Sequence, residues 1–140
     1  MYVADPGQVP STVFMYTLHP TRLAMLTEGP TDAERAAAAE HWTYSQKLLE
    51  DGVIVFGGRT LERTSAGSFA IAVIRADSEQ EARQIMEADP AVKAGVFRAR
   101  LFPFQPMLMG DWPSEAVTVP VRLDKPSSQP RAAPPKAPGG

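Results

Sequence analysis

The sequence predicts an α+β fold, β-α-β-β-α-β over residues 12–105, and three observations carry that reading. Four short runs rich in β-branched and aromatic residues alternate with two stretches of helical periodicity. Each helical stretch opens on capping-box spacing, Thr31 to Glu34 and Ser78 to Glu81. Glycines stand where the chain must leave a helix, at Gly52 and Gly95.

Taken in order, "TVFMYTL" (Thr12–Leu18) reads as the first strand, closed by His19-Pro20. A loop containing Gly29-Pro30 leads to the first helix, which runs from its Thr31 cap through an alanine-rich stretch to Asp51. "VIVFGGR" (Val53–Arg59) is the second strand, "TLERTSAGS" a turn, and "FAIAVIRA" (Phe69–Ala76) the third strand. A shorter helix runs from Ser78 to about Ala88, and Asp89-Pro90 starts one further turn. "VFRARLFPF" (Val96–Phe104) is the fourth strand, alternating Val96, Arg98 and Arg100 against Phe97, Ala99 and Leu101. Strands and helices in this order make a split βαβ, ferredoxin-like unit, an antiparallel sheet with both helices on one face. Phe14 and Tyr16 point one way from the first strand, Val13 and Met15 the other. A sheet apolar on both sides must bury its second face, so a homodimer packed sheet to sheet is expected.

Composition narrows the class. The chain has 140 residues, 44% hydrophobic and 21% charged, enough for one domain. A net charge of −2 does not mark a nucleic-acid binder. Without cysteine there is no Cys-based metal site, and although two histidines with scattered carboxylates could hold a metal, no HxH or HExxH spacing is present, so no metal is expected. No apolar run approaches the ~20 residues of a membrane span. "MYVADPGQVPS" lacks the pattern of a secretory signal, so a cytoplasmic protein is expected. Residues 1–11 read as a loose leader, 12–110 as the domain and 111–140 as a disordered tail. Seven of the 14 prolines fall between Pro113 and Gly140, a composition that cannot bury a core. A solvated tail is one reading and a protein partner for its Pro-rich motif another; "AVTVPVRL" within it alternates like a strand, with Pro120 confining it to an edge.

The histidines hold the chemical interest. On a helical wheel Ala37, His41, Tyr44 and Leu48 share one face, widened by Ala38, Ser45, Leu49 and Trp42. His41 therefore lies in the core-facing stripe, where its ring needs a polar partner. Asp89 precedes a proline and is placed to cap the next turn, which occupies one carboxylate oxygen and leaves the other free. With both helices on one sheet face, that oxygen can meet His41 and set its tautomer, an arrangement suited to proton transfer.

"HWTYSQKLLEDGVIVFGG", with its histidine, leucine pair and glycine eleven residues beyond the histidine, and "EADPAVKAGVF", with Asp-Pro followed by Gly-Val, resemble the YciI-like (YCII-related domain) family over Val13–Phe104. The resemblance implies a ferredoxin-like fold, dimeric α+β barrels and an active site centred on a His/Asp pair, here His41 and Asp89. It also implies relatives, among them muconolactone isomerases and a chlorohydroquinone dehydrochlorinase, that act on small cyclic or aromatic compounds without cofactor. Where the family tends to carry Gly-Pro, this chain has Gly57-Gly58-Arg59, and Arg59 could pair with a substrate carboxylate or enolate. The loop from His19 to Pro30 is a candidate lid, with Arg22 or His19 contributing.

Two readings follow. In the first the chain is a lyase- or isomerase-like enzyme: His41 is the acid/base, Asp89 orients it, and Tyr44, Ser45, Arg59 and His19 contact a small-molecule substrate. In the second it is a non-catalytic dimeric module that binds a ligand or protein, and the His/Asp pair is structural.

Overall fold

Residues 2–3, 12–62 and 67–111 are described by the computed structural model, so the Pro113–Gly140 tail, Trp112 and most of the leader lie outside the described residues. Ten elements follow one another: β1 (Tyr2–Val3), β2 (Val13–Pro20), α1 (Ala24–Thr27), α2 (Asp32–Glu50), β3 (Ile54–Arg59), β4 (Ala70–Arg75), α3 (Glu79–Glu87), α4 (Pro90–Lys93), β5 (Phe97–Pro103) and β6 (Leu108–Met109). Four strands form one antiparallel sheet in the order β3-β4-β2-β5. That is the ferredoxin-like arrangement expected, with each helix crossing over an intervening strand. A separate two-stranded ribbon pairs Tyr2 with Met109 and Val3 with Leu108, so two residues of the leader are ordered against the segment after β5. Residues Tyr2–Met109 form one compact unit. Among the described residues, no helix is long and apolar enough to cross a membrane.

The caps explain where the helices start and stop. Thr31 Oγ1 accepts from the Glu34 N–H at 3.1 Å and the Thr31 N–H donates to Glu34 Oε1 at 2.9 Å, closing the capping box. At α3 only half of that motif forms. Ser78 Oγ accepts from the Glu81 N–H, but the Glu81 carboxylate takes the Asp77 N–H, one residue earlier than expected. Both α2 and α4 end in a Schellman turn: Val53 N–H donates to Leu48 O and Gly52 N–H to Leu49 O, and likewise Val96 to Ala91 and Gly95 to Val92. Gly52 and Gly95 take φ of 78° and 77° there, a conformation open to glycine at little cost.

Register sorts the sheet residues onto two faces. Phe14, Tyr16, Leu18, Ala72 and Ile74 are buried and pack with Ala82 and Met86 of α3, with Ala99 and Leu101 of β5 alongside. A second cluster, Met25, Ala37, Ala91 and Val96, joins α1, α2 and α4, and Phe97 packs against both. β2 runs two residues beyond the expected Leu18, because His19 and Pro20 pair with Arg98 and Phe97, and proline at the last position gives up no needed donor. The candidate lid is partly helical, and Met25 pins it into the second cluster. Trp42 and Leu49, expected to widen the buried face of α2, are instead 51% and 42% exposed. The buried face of α2 is narrower than the helical wheel predicts, because its neighbours cover only the stripe through Ala37, His41, Tyr44 and Leu48.

Candidate active site

Among the described residues Asp89 is the buried charged one, 0% exposed. Its backbone is extended and its Oδ1 accepts the Ala91 N–H at 2.8 Å, the capping role that Pro90 at the first helical position makes available. Oδ2 lies 2.6 Å from His41 Nδ1 on α2. Both carboxylate oxygens are therefore engaged, one with the backbone of α4 and one across the helix pair. A carboxylate accepting at both oxygens needs a donor at Nδ1, so Nδ1–H donates to Oδ2 and Nε2 is the imidazole nitrogen left for exchange with a ligand. The His41 side chain is 21% exposed, so the ring links the buried carboxylate to solvent. Phe97 meets it edge-on, ring centroids 5.2 Å apart, and holds the imidazole plane from the sheet side.

Two tyrosines surround the pair and differ in what their hydroxyls do. Tyr44, one turn beyond His41, donates to the Ile85 carbonyl at 2.7 Å and ties α2 to α3. Burial, then the nearby Asp89 carboxylate, keeps that phenol above its ordinary pKa. Tyr16 on β2 is 1% exposed. Burial first, then Asp89 and Tyr44, raises its pKa far beyond the usual tyrosine range, so it stays neutral and able to donate. Its hydroxyl hydrogen-bonds no described residue, and a buried polar group without a partner calls for a reason.

The other expected substrate contacts are dispersed. Ser45 is half-buried on α2 and makes no side-chain hydrogen bond to a described residue. Arg59 ends β3, an edge strand of the sheet, exposed and unpaired with any described residue. His19 stacks on Phe69, centroids 5.5 Å apart, on the sheet face opposite the helices. Arg22 grips Glu34 with two 2.7 Å bonds, which latches the segment before α1 to the start of α2. The sequence reading missed Tyr16 and Phe97 as site residues. Both faces of the first strand read as apolar and Phe97 alternates with Arg98, but nothing in sequence placed either ring against a residue of α2.

Residues 13–105 match the YCII-related domain. The chain belongs to that family. No curated protein matches it. Among solved structures, this YCII-related chain is similar to the 5-chloro-2-hydroxyhydroquinone dehydrochlorinase (TftG) from Burkholderia phenoliruptrix AC1100, determined in complex with 2,5-dihydroxybenzoquinone. The likeness has a TM-score of 0.49 and 21% identity, and covers 66% of this chain and 93% of that one.

Proposed function

We propose that this YCII-related chain is a small cofactor-independent enzyme of the lyase or isomerase type, acting in the cytoplasm on a small cyclic or aromatic metabolite. The 2.6 Å His41–Asp89 contact carries the reading. Asp89, fully buried and anchored by the Ala91 N–H, orients the imidazole, and His41 Nε2 moves the proton. With Tyr44 spent on the Ile85 carbonyl, Tyr16 supplies a neutral hydroxyl to a polar atom of the substrate. Two copies pair through the uncovered face of the sheet, where register lines up Phe56, Val73, Met15 and Phe102 in one apolar row.

The test is turnover of a panel of small cyclic lactones and halogenated hydroquinones by the purified chain, compared with His41→Ala. Expected is a loss of about 10²–10⁴-fold with circular dichroism unchanged. Equal turnover by the variant would overturn the assignment.

A second reading has its own support, because full burial and double bonding of Asp89 also suit a strut between α2 and α4. On that reading His41→Gln lowers thermal stability and changes no reaction or ligand affinity.

A further inference from the structure

Residues 21–30, which join β2 to α2, lie beside the His41–Asp89 pair and are held there by a short set of ties. At the start of the segment the Thr21 N–H donates to the Val96 carbonyl at 3.0 Å, and the Thr21 hydroxyl to the Gly95 carbonyl at 2.6 Å. Arg22 then holds Glu34 of α2 through two 2.7 Å bonds and reaches back to the Gly29 carbonyl at 3.5 Å. One side chain thus closes the loop on itself and onto α2. Between these ties α1 is a single turn with no side-chain cap; Leu23 is 45% exposed and Met25 turns inward, 8% exposed. A helix this short has no stability of its own, so Arg22 and Met25 keep it in place.

What Met25 packs against connects the segment to the site. Its cluster is Ala37, Ala91 and Val96, with Leu26 and Phe97 alongside. Ala37 is one turn before His41 on α2, the Ala91 N–H is bonded to Asp89 Oδ1, and Phe97 meets the His41 ring edge-on. Met25 therefore packs among the immediate neighbours of both members of the pair. Phe97 also packs against the inner cluster that holds Tyr16, which is 1% exposed. With the segment seated, the His41 side chain is 21% exposed while the Tyr16 side chain is closed to solvent.

We propose that residues 21–30 form a latched gate: Arg22 fastens it to Glu34, Met25 is its plug, and lifting it opens the way for a small molecule to His41 Nε2 and the inner Tyr16 hydroxyl. Methionine suits a plug, because its unbranched side chain leaves and refills an irregular gap readily. Closure rests on one buried apolar side chain and one ion pair at the surface, a balance that permits local opening while the sheet stays folded. The gate concerns access to the imidazole and stands whether or not His41 moves a proton.

Labelling of the two histidines by diethyl pyrocarbonate, read by mass spectrometry on the full chain at fixed pH, tests the gate. The reagent takes the unprotonated imidazole nitrogen, and His19, on a strand outside the gate, serves as internal reference. Arg22→Gln removes the latch and leaves the capping box of α2 intact, since that box uses Thr31 and Glu34 alone. Expected is His41 labelling about fivefold faster than in wild type, the worth of such an ion pair, with the His19 rate unchanged. Exchange of the Leu26 and Glu28 amide protons, bonded to Leu23 and Ala24 within the gate, should accelerate in parallel. Gly52→Ala strains the far end of α2 without touching the gate, and should leave the His41 rate where it was. An unchanged His41 rate in Arg22→Gln would overturn the proposal, as would faster amide exchange in the gate with no change at His41. Equal acceleration of His41 in Gly52→Ala would assign access to global unfolding and overturn it too. Turnover is read separately, so failure of the catalytic assignment leaves these rates unaffected.

Discussion

Asp89 Oδ2 stands 2.6 Å from His41 Nδ1 while Asp89 Oδ1 holds the Ala91 N–H, so one carboxylate both starts α4 and orients an imidazole on α2. The two roles separate by mutation. Asp89→Asn keeps an oxygen for the cap but loses the charge facing the ring, so stability should change by less than ~1 kcal/mol while kcat falls by about tenfold or more with little effect on KM. Asp89→Ala removes the cap as well and should cost about 1–3 kcal/mol. Denaturant unfolding beside steady-state kinetics reads both; equal stability loss in the two variants would contradict the division of labour.

Tyr16 and Tyr44 make a matched pair for testing what an inner hydroxyl is for. Tyr44→Phe strands the Ile85 carbonyl and should destabilise by about 1 kcal/mol. Tyr16→Phe removes a hydroxyl with no described partner, so stability should hold or rise slightly, while turnover drops if that hydroxyl serves the substrate. Thermal melts of both variants, with activity alongside, check the contrast.

Glu34 carries an acid-sensitive contribution to stability. The Arg22 guanidinium, followed by the Thr31 N–H, pulls its carboxyl from the usual 4.5 down to about 2. A carboxyl depressed in the folded state favours that state above its unfolded pKa, and the advantage is lost as pH falls from about 4.5 to about 2. Arg22→Gln should therefore be less stable than wild type at neutral pH, and the two proteins should converge near pH 2. Urea unfolding across that range measures it, and an NMR titration of Glu34 in Arg22→Gln should show its pKa moving back toward 4.5.

Glycines in this chain are not equivalent. Gly52→Ala places a side chain at φ 78° and should cost about 1–2 kcal/mol, although its Cβ would meet nothing within 4 Å. Gly58 has equal space and no positive φ, so Gly58→Ala should be neutral or stabilise by under ~1 kcal/mol. Chemical denaturation of the two variants distinguishes strain from space.

Most of the element order was legible because its signals are local. Thr31 with Glu34, Gly52, and Asp89 with Pro90 each act on backbone groups within a few residues, so caps and stops are written at short range. The Glu81 carboxylate shows where such reading slips: spacing alone does not say whether it reaches the Ser78 or the Asp77 N–H. Trp42 shows a larger limit, since a helical wheel assigns direction and says nothing about how much of an arc its neighbours cover.

The site divides along the same line. That His41 lies in a core-facing stripe and that Asp89 caps a turn with one oxygen to spare are readable from the chain segment alone, because periodicity and proline sterics are local. It takes the folded chain to show that the spare oxygen meets His41, that Tyr44 is spent on Ile85 while Tyr16 is not, and that His19 belongs to the opposite face of the sheet. Those outcomes depend on how α2, α3, α4 and the strands stack, and contacts between residues 41 and 48 positions apart are set by packing, which no local pattern encodes.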